Sequence, residues 1–206
     1  WSNQKDWVLL STNREFGAEA RNQDSRKMLE EQWKNFIETG IQNGGMLVQH
    51  PLASFDLKGL SSHPLMGKMS INDYNPYANS LYVTPNYLDI QNVELNEEDK
   101  KSINSLGEGE FGLLLPEKLK DQEDKLRQIY EDFLAIRNDK GNKIQQAMKA
   151  RIFYISNNKK RFVYNSTPIS YQQFLSDPIL IVLKPSSFGK NRNDFFTYQV
   201  KAILLP

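Results

Sequence analysis

The sequence predicts an α+β fold: a mixed sheet with helices packed on one side, made of two β-α-β-like halves in a ferredoxin-like or porter-type arrangement, with an irregular insertion. Three observations predict it. Short apolar runs of strand length, Phe111–Leu115 and Ile179–Leu183, are bounded by turn residues. Two longer segments, about Ser25–Thr39 and Glu117–Asn138, carry apolar residues at helical spacing with charged and amide residues opposite. Strand, helix and strand also succeed one another twice, over roughly 7–50 and 111–156.

In chain order, Asp6–Ser11 is a first strand. The helix over Ser25–Thr39 has Asp24 or Ser25 to accept from its first-turn N–H groups and Gly40 to take a left-handed closing position. Met28, Leu29, Trp33, Phe36 and Ile37 mark its buried side. Gly44-Gly45 turns the chain into a second short strand, Met46–Gln49. Residues 51–80 hold Pro51, Pro64 and Pro76 among Ser, Asn, Gly and Lys with no sustained period. They predict an irregular excursion longer than loops in compact domains usually are. Leu81–Thr84 is a further strand candidate and Tyr87–Val93 a segment after it. A short helix begins at Asn96, its acids placed where the helix dipole favours them. The whole is expected to be one domain, 1–206, with 51–95 as an inserted irregular subregion.

Phe111–Leu115 is uninterrupted, which suits a strand covered on both faces. Pro116 breaks it, and the helix that follows would be about 30 Å long if fully formed. Ala150–Ile155 and Arg161–Tyr164, joined by Asn157–Lys160, give a hairpin signal. Ile179–Leu183 is expected to be a central strand, Pro185–Asn193 a loop, and Phe195–Leu205 a last strand.

With 206 residues the chain can hide roughly 70% of its unfolded surface. Lys and Arg total 26 and Asp and Glu 25, so no net field steers it to nucleic acid or anionic lipid. No apolar run approaches the roughly 20 residues of a membrane helix. Zero cysteines exclude disulfides, thiolate zinc sites and a cysteine nucleophile. A start at Trp1 and an end after Ile203-Leu204-Leu205-Pro206 suggest a segment excised from something longer.

No motif carries chemistry. Gly107–Gly112 matches G-x-G-x-x-G, but the glycines precede a strand, and Glu108 and Glu110 would repel a pyrophosphate, so a flexible turn is expected. His50 and His63 lie 13 positions apart with no acid at ligand spacing. The carboxylates of Glu117–Asp124 and Glu131-Asp132 alternate with Lys and Arg, the pattern of a wet, ion-paired face. Asn158-Lys159-Lys160-Arg161 is a charged turn rather than a basic footprint. One feature is kept as a candidate ligand site: Tyr74, Tyr77, Tyr82 and Tyr87, whose flat rings and polar tips suit a peptide or sugar. The alternative is that these rings pin the insertion to the core. No catalytic residue, cofactor or metal is assigned.

Tyr82–Leu88, the Leu113–Leu119 strand-to-helix junction and Asp177–Leu183 resemble the extracellular part of bacteriocin-associated integral membrane proteins, which are permease-like and similar to the macrolide-exporter class of ABC transporters. The resemblance spans nearly the whole chain. It implies a non-catalytic domain on the extracellular face of the cell membrane, set between membrane helices of the same polypeptide. It also implies a separate ATPase subunit as partner, a peptide as possible ligand, and a role in bacteriocin export or immunity. The family pattern has no catalytic residues to transfer. A secreted or surface-anchored adhesion module using the Tyr-rich insertion is the alternative, and an enzyme of unrecognised type the third.

Overall fold

The computed structural model of the chain describes residues 8–11, 23–49, 79–137, 147–163, 174–191 and 202–206. Its strands are β1 (Val8–Ser11), β2 (Val48–Gln49), β3 (Ser80–Val83), β4 (Glu110–Pro116), β5 (Lys149–Ile155), β6 (Lys160–Phe162), β7 (Phe174–Ser176), β8 (Ile179–Val182) and β9 (Ala202–Leu205). Its helices are α1 (Gln23–Gln42), α2 (Pro85–Ile90), α3 (Glu97–Asn104) and α4 (Glu123–Arg137), with 3-10 turns at Glu117–Gln122 and Pro185–Asn191. The fold is α+β, as expected.

A five-stranded sheet in the order β2-β3-β8-β4-β5 forms its centre. β3 runs parallel to β8, and β4 runs parallel to β5. β4 is antiparallel to β8, with Leu113 opposite Ile181, so the sheet is mixed. Strand alternation sends Phe111, Leu113 and Leu115 of β4 to one face and Leu114 to the other, and all four are fully buried. That double burial is why the run reads as unbroken apolar sequence.

The two long helices share one face. Leu126, Ile129, Tyr130, Phe133 and Leu134 of α4 and Ile37 of α1 join Leu113 and Ile181 in one cluster. The opposite face is covered as well: Leu88 of α2, Ile103 of α3 and Leu175 of β7 pack on Leu114, Leu180 and Val182. The sheet is thus sandwiched rather than covered on one side alone. Thr84 and Asn86 fasten α2 to the end of α1: Thr84 Oγ1 accepts from the N–H of Leu47 (3.1 Å), and Asn86 Nδ2 donates to Gly44 O and Gly45 O (both 2.9 Å).

Several sequence expectations change. β4, α4 and β5 form a β-α-β unit, as the 111–156 reading has it. No strand separates β4 from β5, so the unit is not the split one of a ferredoxin-like fold. The first unit is not closed: β1 pairs with β9, and β2 with β3. The hairpin expected between Ala150–Ile155 and Arg161–Tyr164 does not form. β5 pairs with β4 on one side, and Asn158, at φ 59°, turns the chain away from it so that β6 pairs with β7 instead. Of the subregion 51–95, residues 51–78 lie outside the described residues. Ser80–Val83 and Pro85–Ile90 are regular, the strand because Leu81, Tyr82 and Val83 belong to the sheet core.

Gly40 does not close α1. The helix runs on to Gln42, and the left-handed residue is Gly44, at φ 88°. A Cβ at Gly40 would stand 2.9 Å from Ile203 Cδ1 and 3.0 Å from Leu205 Cδ2, so its missing side chain is what lets β9 seat against the helix.

Leu113→Ala removes a fully buried side chain from β4, an inner strand of the sheet. It should destabilise the chain by about 2–5 kcal/mol, seen as a lower urea midpoint at unchanged slope. A loss below about 1 kcal/mol, less than any leucine-sized core truncation usually costs, would contradict this placement of β4.

Candidate functional site

Two of the four tyrosines, Tyr82 and Tyr87, are not a surface. Tyr74 and Tyr77 lie outside the described residues, as do His50 and His63. Tyr82 and Tyr87 are 0% exposed. They also sit on opposite faces of the sheet, Tyr82 with the α4 cluster and Tyr87 with Leu114 and Val182. The physical reason is position: Tyr82 is the third residue of a central-sheet strand, and Tyr87 is on the inner side of α2. The reading that rings pin this stretch to the core holds for these two. The glycine motif is a turn, as expected: Gly109 is at φ 77°, and the N–H of Gly107 donates to Glu110 Oε2 (3.0 Å). Glu110 then takes Arg151 through Nε (3.0 Å) and Nη2 (2.6 Å), a fork that ties β4 to β5.

Polar groups instead converge where β4 and β5 finish and β8 begins. The antiparallel register of β4 and β8 brings the 3-10 turn after Pro116, the Ser156–Lys159 turn and the Ser176–Pro178 turn to one end of the sheet. Asp177, 6% exposed and at φ 47°, is the centre. Its Oδ2 accepts from Lys118 Nζ (2.6 Å), its Oδ1 from the N–H of Lys159 (2.8 Å), and its own N–H donates to Lys159 O (2.8 Å). Asn157 Oδ1 accepts from the N–H of Lys118 (2.9 Å), joining two of the turns directly. Glu94, in the loop after α2, accepts from Ser156 Oγ (2.7 Å) and Lys159 Nζ (3.2 Å).

Arg161 lies beneath this rim, 5% exposed. Its Nη1 donates to Gln91 O (3.1 Å), just past the carbonyl end of α2 where the helix dipole favours a cation. Burial lowers its pKa, and Tyr87, Glu94 and Asp177 pull the other way. Burial pushes the Tyr87 phenol well above its ordinary range, with Arg161 opposing; its hydroxyl donates to Phe162 O (3.3 Å). Beside β5, Tyr154 and Arg127 both bond the Glu123 carboxylate, which holds Tyr154 up at about 12 and Glu123 below its usual range.

Chemically the cluster is a set of occupied charges. Burial alone would raise the pKa of Asp177, but Lys118 and the N–H groups of Lys159 and Asn158 outweigh it, and the net shift is downward. The hydrogen bonds from Ser156 and Lys159 lower that of Glu94. Both carboxylates are ionised at neutral pH and carry no proton to give. Among the described residues no three His, Cys, Asp or Glu side chains converge as a metal site. What the arrangement does is bind three turns and the exit of α2 into one rim. Sequence reading missed Asp177, Arg161 and Glu94, since their partners lie up to tens of residues away; the one local signal was the Asp-Pro step before β8.

Asp177 titrates lower in the folded chain than the ordinary value of about 3.9. The stability it lends is full above about pH 4 and is lost as the pH falls through the folded value. Asp177→Asn should therefore cost roughly 1–3 kcal/mol at pH 7, with the deficit shrinking toward pH 3 in urea titrations. A deficit constant from pH 7 to pH 3 would exclude the ionised role.

Comparison with known proteins gives no match: no family model, no curated protein and no solved structure is significantly similar to this chain.

Proposed function

We propose that the chain is the non-catalytic extracellular domain of a permease-like membrane protein that works in bacteriocin or antimicrobial-peptide export or immunity. A separate ATPase would act on the inner side of the membrane. One observation carries the reading. β1 and β9 are antiparallel neighbours, with Val8 opposite Leu205, so the polypeptide enters and leaves the fold side by side. A domain set between two successive membrane helices needs that geometry, because both connections must return to one membrane surface. The three segments that carry the family resemblance support it as a unit, since they form the adjacent strands β3, β8 and β4 and their exits. Among the described residues no helix is long and apolar enough to cross a membrane; on this reading the spans belong to flanking polypeptide.

On this reading the role is mechanical. A partner or peptide engaged by the domain would pull on it as one piece, since Ile203 of β9 is buried in the core with Ile37 of α1, and the flanking helices would pass that pull to the ATPase. Tyr82 and Tyr87 are inside and offer no ligand surface to a free adhesion module, while Tyr74 and Tyr77 lie outside the described residues.

The full open reading frame tests the architecture. An apolar helix just before Trp1, others after Pro206 and a neighbouring ATPase gene are expected, and disrupting the gene should alter resistance to, or secretion of, a peptide antimicrobial. A cleavable signal peptide before Trp1 with a stop codon after Pro206 would overturn the proposal.

A further inference from the structure

Two ties join residues 91–94, just past α2, to residues 156–161. The outer tie is Glu94, whose carboxylate accepts from Ser156 Oγ and Lys159 Nζ and whose side chain is 65% exposed. The inner tie is Arg161, 5% exposed, through the bond from its Nη1 to Gln91 O. A guanidinium offers five N–H donors in a planar fork. Arg161 spends only Nη1 among the described residues, and its Nε is buried with no hydrogen-bond partner. Glu94, Asp177 and the end of α2 balance the charge at a distance, but they leave the donors unpaired. An unpaired buried donor on a charged group is costly. The rest of the rim is already spent. Asp177 has both oxygens engaged, with Lys118 Nζ and the N–H of Lys159. Burial keeps the Tyr87 phenol protonated, and its hydroxyl donates to Phe162 O. Elsewhere in the chain the same edge is filled: Arg151 clasps Glu110 through Nε (3.0 Å) and Nη2 (2.6 Å).

We propose that the Nε–Nη2 edge of Arg161 is a receiving site for a carboxylate from outside the fold, and that Glu94 guards it. The edge sets the chemical class. Two parallel N–H groups match the two oxygens of a carboxylate, as they do where Arg151 holds Glu110. Glu94 and Asp177 are both ionised nearby, and their repulsion weighs less on a monoanion than on a doubly charged phosphate. The order of the two ties sets the guard. Glu94 is the exposed one, so an incoming carboxylate meets its like charge before it meets Arg161. The Glu94–Lys159 pair is a surface pair, of a kind that contributes little, so the side chain can turn out to water. The ligand then takes the open edge while Nη1 keeps Gln91 O, and the two segments stay joined. The site rests on the rim alone and stands apart from the transport reading. A chain terminus and an acidic side chain both carry the group it takes.

Arginine Nε–H groups are read one by one in proton–nitrogen correlation spectra, and Arg151 supplies the reference for a filled edge. In the full chain the Arg161 Nε–H should resonate upfield of that of Arg151. Sodium acetate, titrated at constant ionic strength, should draw it downfield toward the Arg151 position and saturate, with Arg151 unmoved. Acetamide and sodium chloride should do neither. Glu94→Gln should tighten acetate about two- to fivefold, which is what an exposed charge pair is usually worth. Arg161→Lys keeps the charge without the fork and should lose the saturation, followed at the backbone amides of residues 91–94. Triglycine and an N-acetylated, C-amidated peptide with one glutamate separate the two sources, and saturable binding of either supports the site. An Arg161 resonance indifferent to acetate, or equally responsive to chloride, would overturn the proposal. So would one that already matches Arg151 in the free chain and moves upfield in Glu94→Gln, because Glu94 would then be the fork's own partner.

Discussion

The backbone ladder on the two sides of β4 is the constraint on which the rest of the structure depends. β4 is bonded to β5 in one direction and β8 in the other, so both rows of its amide and carbonyl groups are spent inside the sheet. A strand so placed cannot be amphipathic, because both its faces are covered. Phe111, Leu113, Leu115 and Leu114 divide between the two clusters accordingly. Its exit is fixed with equal economy: Pro116 offers no N–H to continue the ladder, and the 3-10 turn that follows delivers Lys118 to Asp177.

From that exit the polar rim follows. Asp177 sits in the left-handed region at φ 47°, a conformation that costs a non-glycine residue energy. The cost is offset by what the geometry brings to its carboxylate, a lysine ammonium and backbone N–H groups at once. Arg161 is buried beside it because the carbonyl end of α2 and two nearby carboxylates compensate its charge. These are the interactions by which three turns with no sequence proximity are made into one surface.

The sheet strands were legible in the sequence to different degrees, and burial explains the difference. β4 and β8 are buried on both faces, so their apolar runs carry the whole signal. α4 was legible from Leu126, Ile129, Tyr130, Phe133 and Leu134, whose spacing is helical, although its first turns, Glu117–Gln122, wind as a tighter 3-10 helix. The pairing partners were not legible. Ala150–Ile155 and Arg161–Tyr164 look like a hairpin locally, and nothing near them says that β4 will claim the first. Gly40 looked like a helix terminator because glycine usually is one there; its actual role depends on Ile203, at the far end of the chain. Tyr82 and Tyr87, set among Asn and Pro, left two readings open in the sequence, a ligand surface or rings pinned to the core. A strand and a helix then took both rings inside. The polar rim was the least legible part of all, since Glu94, Lys118, Arg161 and Asp177 acquire meaning only through contacts across the fold.

The pairing of β1 with β9 also dictates an order of events. Val8 is made 197 residues ahead of its partner Leu205. At about 5–20 residues per second the first strand waits roughly 10–40 s for the second. During that interval Val8-Leu9-Leu10 is an apolar segment with no strand to pair with, while β3, α2, α3 and β4 are already available to condense. Contacts that close so long a loop form late and slow folding. The ribbon is thus the last piece of the described fold to be completed.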